Sequence, residues 1–306
     1  MGPPALDPDR EQAFALFREG RVSTRNAATV LLLSLLLFGA IALRDRRPVD
    51  VLVLVAVLFL HELGHWAAMR LCGYEDTSIF FIPLFGAAAS GRSVDGAAWK
   101  EGLVLLAGPL PGLLLGIPVL VGGVLLHDET ARRAGYALLG VNAFNLLPLV
   151  PLDGGRLFEL VLFRRHPLLL DGFRTCAAGG LGVTALWLHD WILGVVGVAL
   201  LATLPAGRRM RSAVDALRGR VDARAAPAAL APGEVDALYG AAREVYPGPG
   251  LRPAQRARTM LQLQDALRTR TPGWGVSLAL LGGWVLGAAL VAVAVVGAAL
   301  ARRLAG

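Results

Sequence analysis

Within this 306-residue sequence, His61-Glu62-Leu63-Gly64-His65 has the residue types and spacing to do chemistry. Residues four apart share one face of an α-helix, so both imidazoles can reach one metal ion. Glu62 follows the first of them and can approach a water at that ion without occupying a coordination site. Such a trio suits metal-assisted hydrolysis. The stretch around it, 51–71, is otherwise apolar. An ionisable group at membrane depth costs on the order of 3 kcal/mol on insertion scales, so three together need a compensating interaction, and metal coordination supplies one. The plain alternative is a pair of histidines bonded to neighbouring helices, with Glu62 paired to an arginine.

A second element is Asn142-Ala-Phe-Asn145-Leu-Leu-Pro148-Leu-Val-Pro151-Leu-Asp153-Gly154-Gly155. Catalytic zinc usually takes three protein ligands and keeps a fourth position open. The histidines provide two, and a carboxylate would complete the set. Asp153 is the candidate, because the two glycines after it permit a tight backbone turn. Asn142 and Asn145 could bond freed carbonyls or hold a substrate peptide.

The elements that must position these residues are read from composition. The chain is 55% hydrophobic and 17% charged, against about 25% charged in soluble domains, which points to a membrane protein. Apolar runs at 27–43, 51–71, 102–126, 136–163, 173–188, 191–206 and 276–301 are long enough to cross a bilayer as helices. The expected fold is therefore an all-α polytopic membrane protein with about six to seven transmembrane helices. The fourth span is broken, since Pro148, Pro151 and the Asp-Gly-Gly run interrupt it. Residues 1–26 read as an N-terminal cytoplasmic tail, 27–206 as the membrane-embedded core, 207–273 as a small polar helical insert, and 274–306 as a C-terminal transmembrane helix. A cytoplasmic N-terminus places most of the 30 lysines and arginines on that side. Arg44-Asp-Arg46-Arg47 is a local violation of that pattern.

The two motifs, in this order and each in an apolar context, resemble the site-2 protease family, the intramembrane zinc metalloproteases of peptidase family M50. The likeness covers residues 49–163. It implies one zinc ion per chain held by His61, His65 and Asp153, with Glu62 as catalytic acid/base and Asn145 on the family's asparagine. The stretch 78–91 looks like the family's membrane-associated β-loop, where an extended peptide can add to a strand edge. Phe85 and Gly86 within it join Asn142 and Asn145 as substrate-binding or site-shaping candidates. The segment Gly108-Pro109-Leu-Pro111-Gly112 resembles the family's Gly-Pro segment, with Gly112 standing where many members carry an asparagine. That departure is expected to remove one polar contact near the site.

The implied activity is hydrolysis of a peptide bond in or near a transmembrane segment of a membrane-protein substrate. The site is expected towards the cytoplasmic side of a bacterial inner membrane. An inactive relative that only binds membrane proteins is the alternative. A zinc transporter would need ligands spread along a path, and here they sit at one depth. The net charge of +7 comes with no nucleic-acid-reading motif, so no nucleic-acid partner is expected.

Overall fold

The structure, a computed structural model, describes residues 8–20, 47–82, 86–92, 95–189, 191–248, 251–269 and 271–305. It is mostly helical and divides into two compact units. One comprises residues 25–92, 98–170 and 271–306, and the other residues 1–24, 93–97 and 171–270.

The first of these holds both motifs. Helix α1 (Pro8–Arg18) belongs to the other unit; among the described residues α2 (Pro48–Leu71) comes first in this one, with proline in its first turn, where a missing N–H costs nothing. Its buried residues Val57, His61, His65, Ala68 and Met69 recur at intervals of three and four, one face of a helix. Its exposed side is apolar too, with Leu52 70% exposed and Phe59 41%. In water such a surface would be costly, and in lipid it is matched.

An antiparallel hairpin follows, β1 (Glu75–Ile82) pairing with β2 (Gly86–Arg92), with Ile82 opposite Gly86. Helices α3 (Ala98–Ala107) and α4 (Pro109–Leu125) run on from one another and are separated at Gly108. Helix α5 (Glu129–Asn145) is capped by the Asp128 side chain, which accepts from the Thr130 and Ala131 amides at 2.9 and 3.1 Å. The backbone then leaves the helix through Pro148 and the cis Val150–Pro151 peptide. It re-enters as α6 (Asp153–Phe158), continued by a π-helical turn at Glu159–Phe163. The long C-terminal helix, α11 (Trp274–Ala305), packs against α3, α4 and α5. Leu113, Leu120, Leu157, Leu160 and Val161 form the core between these elements.

The other unit is built from α1, from α7 (Pro167–Leu188) beyond Leu170, and from α8 (Trp191–Leu217), α9 (Pro232–Val245) and α10 (Pro253–Arg268). Phe17 of α1 is fully buried among Leu217, Val235, Leu238, Met260 and Leu263. The N-terminal stretch expected as a tail therefore contains a helix that contributes to this unit's core. Pro205 does not end α8, which continues to Leu217.

Among the described residues, four helical stretches are long and apolar enough to cross a membrane: Pro48–Leu71, Ala98–Leu125, Leu193–Leu217 and Trp274–Gly297. These support a multi-pass membrane protein. The expected span at 27–43 lies outside the described residues, as does Phe85. The expected 173–188 span falls in α7, where glycines and Arg174 dilute the hydropathy and which is not among the four.

Candidate metal centre

Three side chains converge. Helix α2 carries His61 and His65 one turn apart, with ring centroids 4.8 Å apart and planes at 84°. The break after α5 returns the chain so that Asp153, first residue of α6, faces them. His61 Nε2 and His65 Nε2 are 3.1 Å apart, and each is 3.1 Å from Asp153 Oδ2. Among the described residues this is the one group of three or more His, Cys, Asp or Glu that could hold a metal ion.

The outer ring nitrogens show what the inner ones are. His65 Nδ1 lies 2.7 Å from the Val104 carbonyl oxygen, which can only accept, so Nδ1 carries the hydrogen. His61 Nδ1 lies 2.8 Å from Asn142 Oδ1. The Asn142 amide nitrogen donates to the Leu138 carbonyl at 2.7 Å, which fixes its oxygen towards His61. Nδ1 of His61 is therefore also a donor. In the neutral ring both Nε2 atoms then present lone pairs. Two imidazole lone pairs and a carboxylate oxygen meet 3.1 Å apart inside the protein. One proton can bridge two of them, whereas one cation satisfies all three.

The dimensions fit such an ion. Ligand atoms at about 2.0–2.1 Å from a tetrahedral zinc stand about 3.3 Å apart, and two histidines with one carboxylate are a known catalytic set. Backbone acceptors and amides that orient ligating imidazoles also recur around zinc.

Close approach of backbone makes the arrangement possible. A Cβ on Gly108 would fall 2.3 Å from His65 Nε2, so the ring occupies the space that a side chain there, between α3 and α4, would need. A Cβ on Gly154 would fall 2.1 Å from the Leu146 carbonyl oxygen, and one on Gly155 would fall 2.3 Å from the Leu149 carbonyl carbon. Both glycines are helical and neither has positive φ. The expectation that they supply a tight turn is corrected: they let α6 press against the loop before it.

The sequence-expected residues divide accordingly. His61, His65 and Asp153 come together, and Asn142 joins them through His61. Glu62 is buried beside His61 on α2. Asn145 donates to the Val141 carbonyl of its own helix at 3.0 Å. Gly86 opens β2. The Asn142 carboxamide from α5 fills the space that a side chain at Gly112 would need. Three contributors carried no usable sequence signal. One is the Val104 carbonyl. Another is Trp284, whose indole donates to the Leu146 carbonyl at 2.7 Å and so satisfies an acceptor freed at the break. The third is the Glu101–Arg164 pair at 2.8 and 2.9 Å, which ties α3 to the end of the π-helical turn.

Fold and site together define a helical protein with membrane-spanning stretches and a buried His-His-Asp group that could hold a metal ion. Residues 50–138 match the model of Peptidase family M50. A putative zinc metalloprotease of Synechocystis is 31% identical over 165 residues, which is 52% of this chain and 42% of that protein. Stage IV sporulation protein FB of Bacillus subtilis is 27% identical over 133 residues, 43% of this chain and 46% of its own length. The putative zinc metalloprotease Rip3 of Mycobacterium tuberculosis is 32% identical over 167 residues, 49% and 41% of the two chains. The chain thus spans less than half the length of these curated relatives. A solved site-2 protease from Methanocaldococcus jannaschii aligns with a TM-score of 0.43 at 21% identity, covering 57% of this chain and 86% of that one. Over residues 50–138 the chain is thus similar to Peptidase family M50, and over about half its length to proteins named as putative zinc metalloproteases.

Proposed function

We propose that this protein is a zinc-dependent endopeptidase that hydrolyses a peptide bond in or near a transmembrane segment of a membrane-protein substrate. The observation that carries the reading is the convergence of three acceptor atoms, two of them tautomer-fixed, 3.1 Å apart at one buried point. His61, His65 and Asp153 would hold the ion. Zinc in that donor set acidifies water and polarises a carbonyl. Two histidines and a carboxylate also suit ferrous iron, and relatives named as zinc metalloproteases favour zinc.

Glu62 takes the proton of the attacking water and delivers it to the nitrogen of the departing amine. Glu62 is buried on the same helix as the two histidines, withdrawn from bulk solvent. The hairpin offers strand edges against which an unwound substrate could hydrogen-bond. Phe85, Gly86 and Asn145 are proposed as substrate-binding or site-shaping residues. Substrate must be unwound, since a helical peptide hides its scissile amide. The site is assigned to the cytoplasmic side of the bacterial inner membrane, on the charge bias of the sequence.

The test compares new protein N-termini in host membranes carrying either wild type or Glu62→Gln. Termini inside transmembrane segments that appear only with wild type support the protease and identify its substrate. No difference across growth conditions, with zinc still bound, would favour a non-cleaving binder.

A further inference from the structure

Gly112 on α4 and Asn142 on α5 share one small volume. A Cβ built on Gly112 would fall 2.0 Å from Asn142 Nδ2, 2.5 Å from its Cγ and 2.8 Å from its Oδ1. Asn142 is 0% exposed. Its two ends are engaged within the protein, Nδ2 on the Leu138 carbonyl at 2.7 Å and Oδ1 on His61 Nδ1 at 2.8 Å. An amide so committed is poorly placed to serve as a substrate contact. It is placed to hold a ring.

We propose that Gly112 and Asn142 form a coupled positioning pair for His61. The missing side chain at 112 opens the slot, and the Asn142 carboxamide that fills it keeps the His61 Nε2 lone pair aimed at the cluster. This rests on the metal-site reading above and adds a requirement to it. What the site needs is one amide oxygen at one point, and either helix can deliver it. In asparagine the amide oxygen stands about 2.4 Å from its own Cβ. A Cβ on residue 112 would stand 2.8 Å from the oxygen that now binds His61. An asparagine at 112 can therefore place its oxygen near the same spot, provided residue 142 vacates the slot. Both carboxamides together cannot fit.

The pair acts through His61, so its readout is metal affinity and its proof is relocation. The full chain, purified in detergent micelles, is titrated with zinc alone in competition with a chromogenic chelator. Helical content and thermal midpoint are recorded for each variant. Asn142→Leu is expected to weaken zinc binding about 10–100-fold, the usual cost of losing an outer partner of a ligand. Gly112→Ala should weaken it in the same direction by displacing the carboxamide. The double variant Gly112→Asn with Asn142→Gly should return to within about tenfold of wild type and bind more tightly than Asn142→Gly alone.

Wild-type affinity in a folded Asn142→Leu variant would overturn the pair, as would a double variant no better than Asn142→Gly. Should Asn142→Leu not fold, that second comparison decides. A wild type that binds no zinc overturns the metal-site reading and the pair with it. A wild type that binds one zinc, with all variants unchanged, overturns the pair alone.

Discussion

The two units bury polar side chains in opposite ways. In the unit formed by α1 and α7–α10, buried side chains pair donor with acceptor. Arg256 is 7% exposed and donates to the carbonyls of Ala242, Tyr246 and Gly248 at 2.9–3.0 Å, donors meeting acceptors at the end of α9. Gln264 and Arg268 both donate to the Ala225 carbonyl, at 2.9 and 3.0 Å. In the unit that holds the motifs, the buried groups instead turn acceptors towards one another: two imidazole nitrogens and a carboxylate oxygen. The first arrangement matches donors to acceptors and specifies structure. The second is incomplete without a cation, and the outer contacts to Asn142 and Val104 hold it so. Complementary buried polarity therefore marks a scaffold here, and like-facing polarity marks a site.

That contrast breaks most visibly at Glu62. Glu62→Gln should lower peptide cleavage by about 10²–10⁴-fold, the range for losing a general acid/base, while zinc content is unchanged. Parallel turnover and metal assays separate this from loss of the site.

Arg256→Ala probes the scaffold side. It leaves three carbonyls with no arginine to accept from and opens a void. A loss of about 2–4 kcal/mol is expected in denaturant or thermal unfolding. Zinc affinity should not follow, because the metal ligands belong to the other unit. Zinc loss in parallel with stability would dissolve the distinction between the two kinds of buried polarity.

Trp284→Phe removes the indole donor to Leu146 and keeps an aromatic, though smaller, side chain beside Phe158, which Trp284 meets edge-on at 5.1 Å. The expected stability cost is about 0.5–1.5 kcal/mol, with a small loss of zinc affinity as the loop before Asp153 loosens. Equilibrium unfolding of the two proteins side by side measures it.

The smallest effect concerns acid. Burial works to raise the Asp171 carboxyl, but hydrogen bonds from Arg211 and Arg208, with their charges, outweigh it and hold the group below the usual carboxylate range. Because the folded value is the lower one, the stabilisation is complete above the unfolded carboxylate pKa. It fades as pH falls through the folded value. Thermal midpoints measured downward from pH 5 should fall less steeply in Asp171→Asn than in wild type.

The sequence carried the parts of this picture that depend on spacing. His61 and His65 share a face because they are four apart, and the prolines at 148 and 151 announced the break. Asp153 was legible only through its glycines and its resemblance to a known motif. The contacts that complete the centre join residues remote in sequence or use the backbone. No local pattern reveals that the Val104 carbonyl meets His65, or that α5 supplies the amide beside Gly112. The Gly154–Gly155 pair showed that small residues were needed, and turn geometry was the wrong reason. Phe17 likewise looked like part of a polar tail, since one buried face on an 11-residue helix is a weak signal beside its charged neighbours.

The central claim is that His61, His65 and Asp153 make one metal site, and metal analysis of the purified chain addresses it directly. Wild type should carry one zinc per chain, and His65→Ala and Asp153→Ala, each still folded, should carry essentially none. Zinc absent from wild type, or retained equally by both variants, would contradict the account.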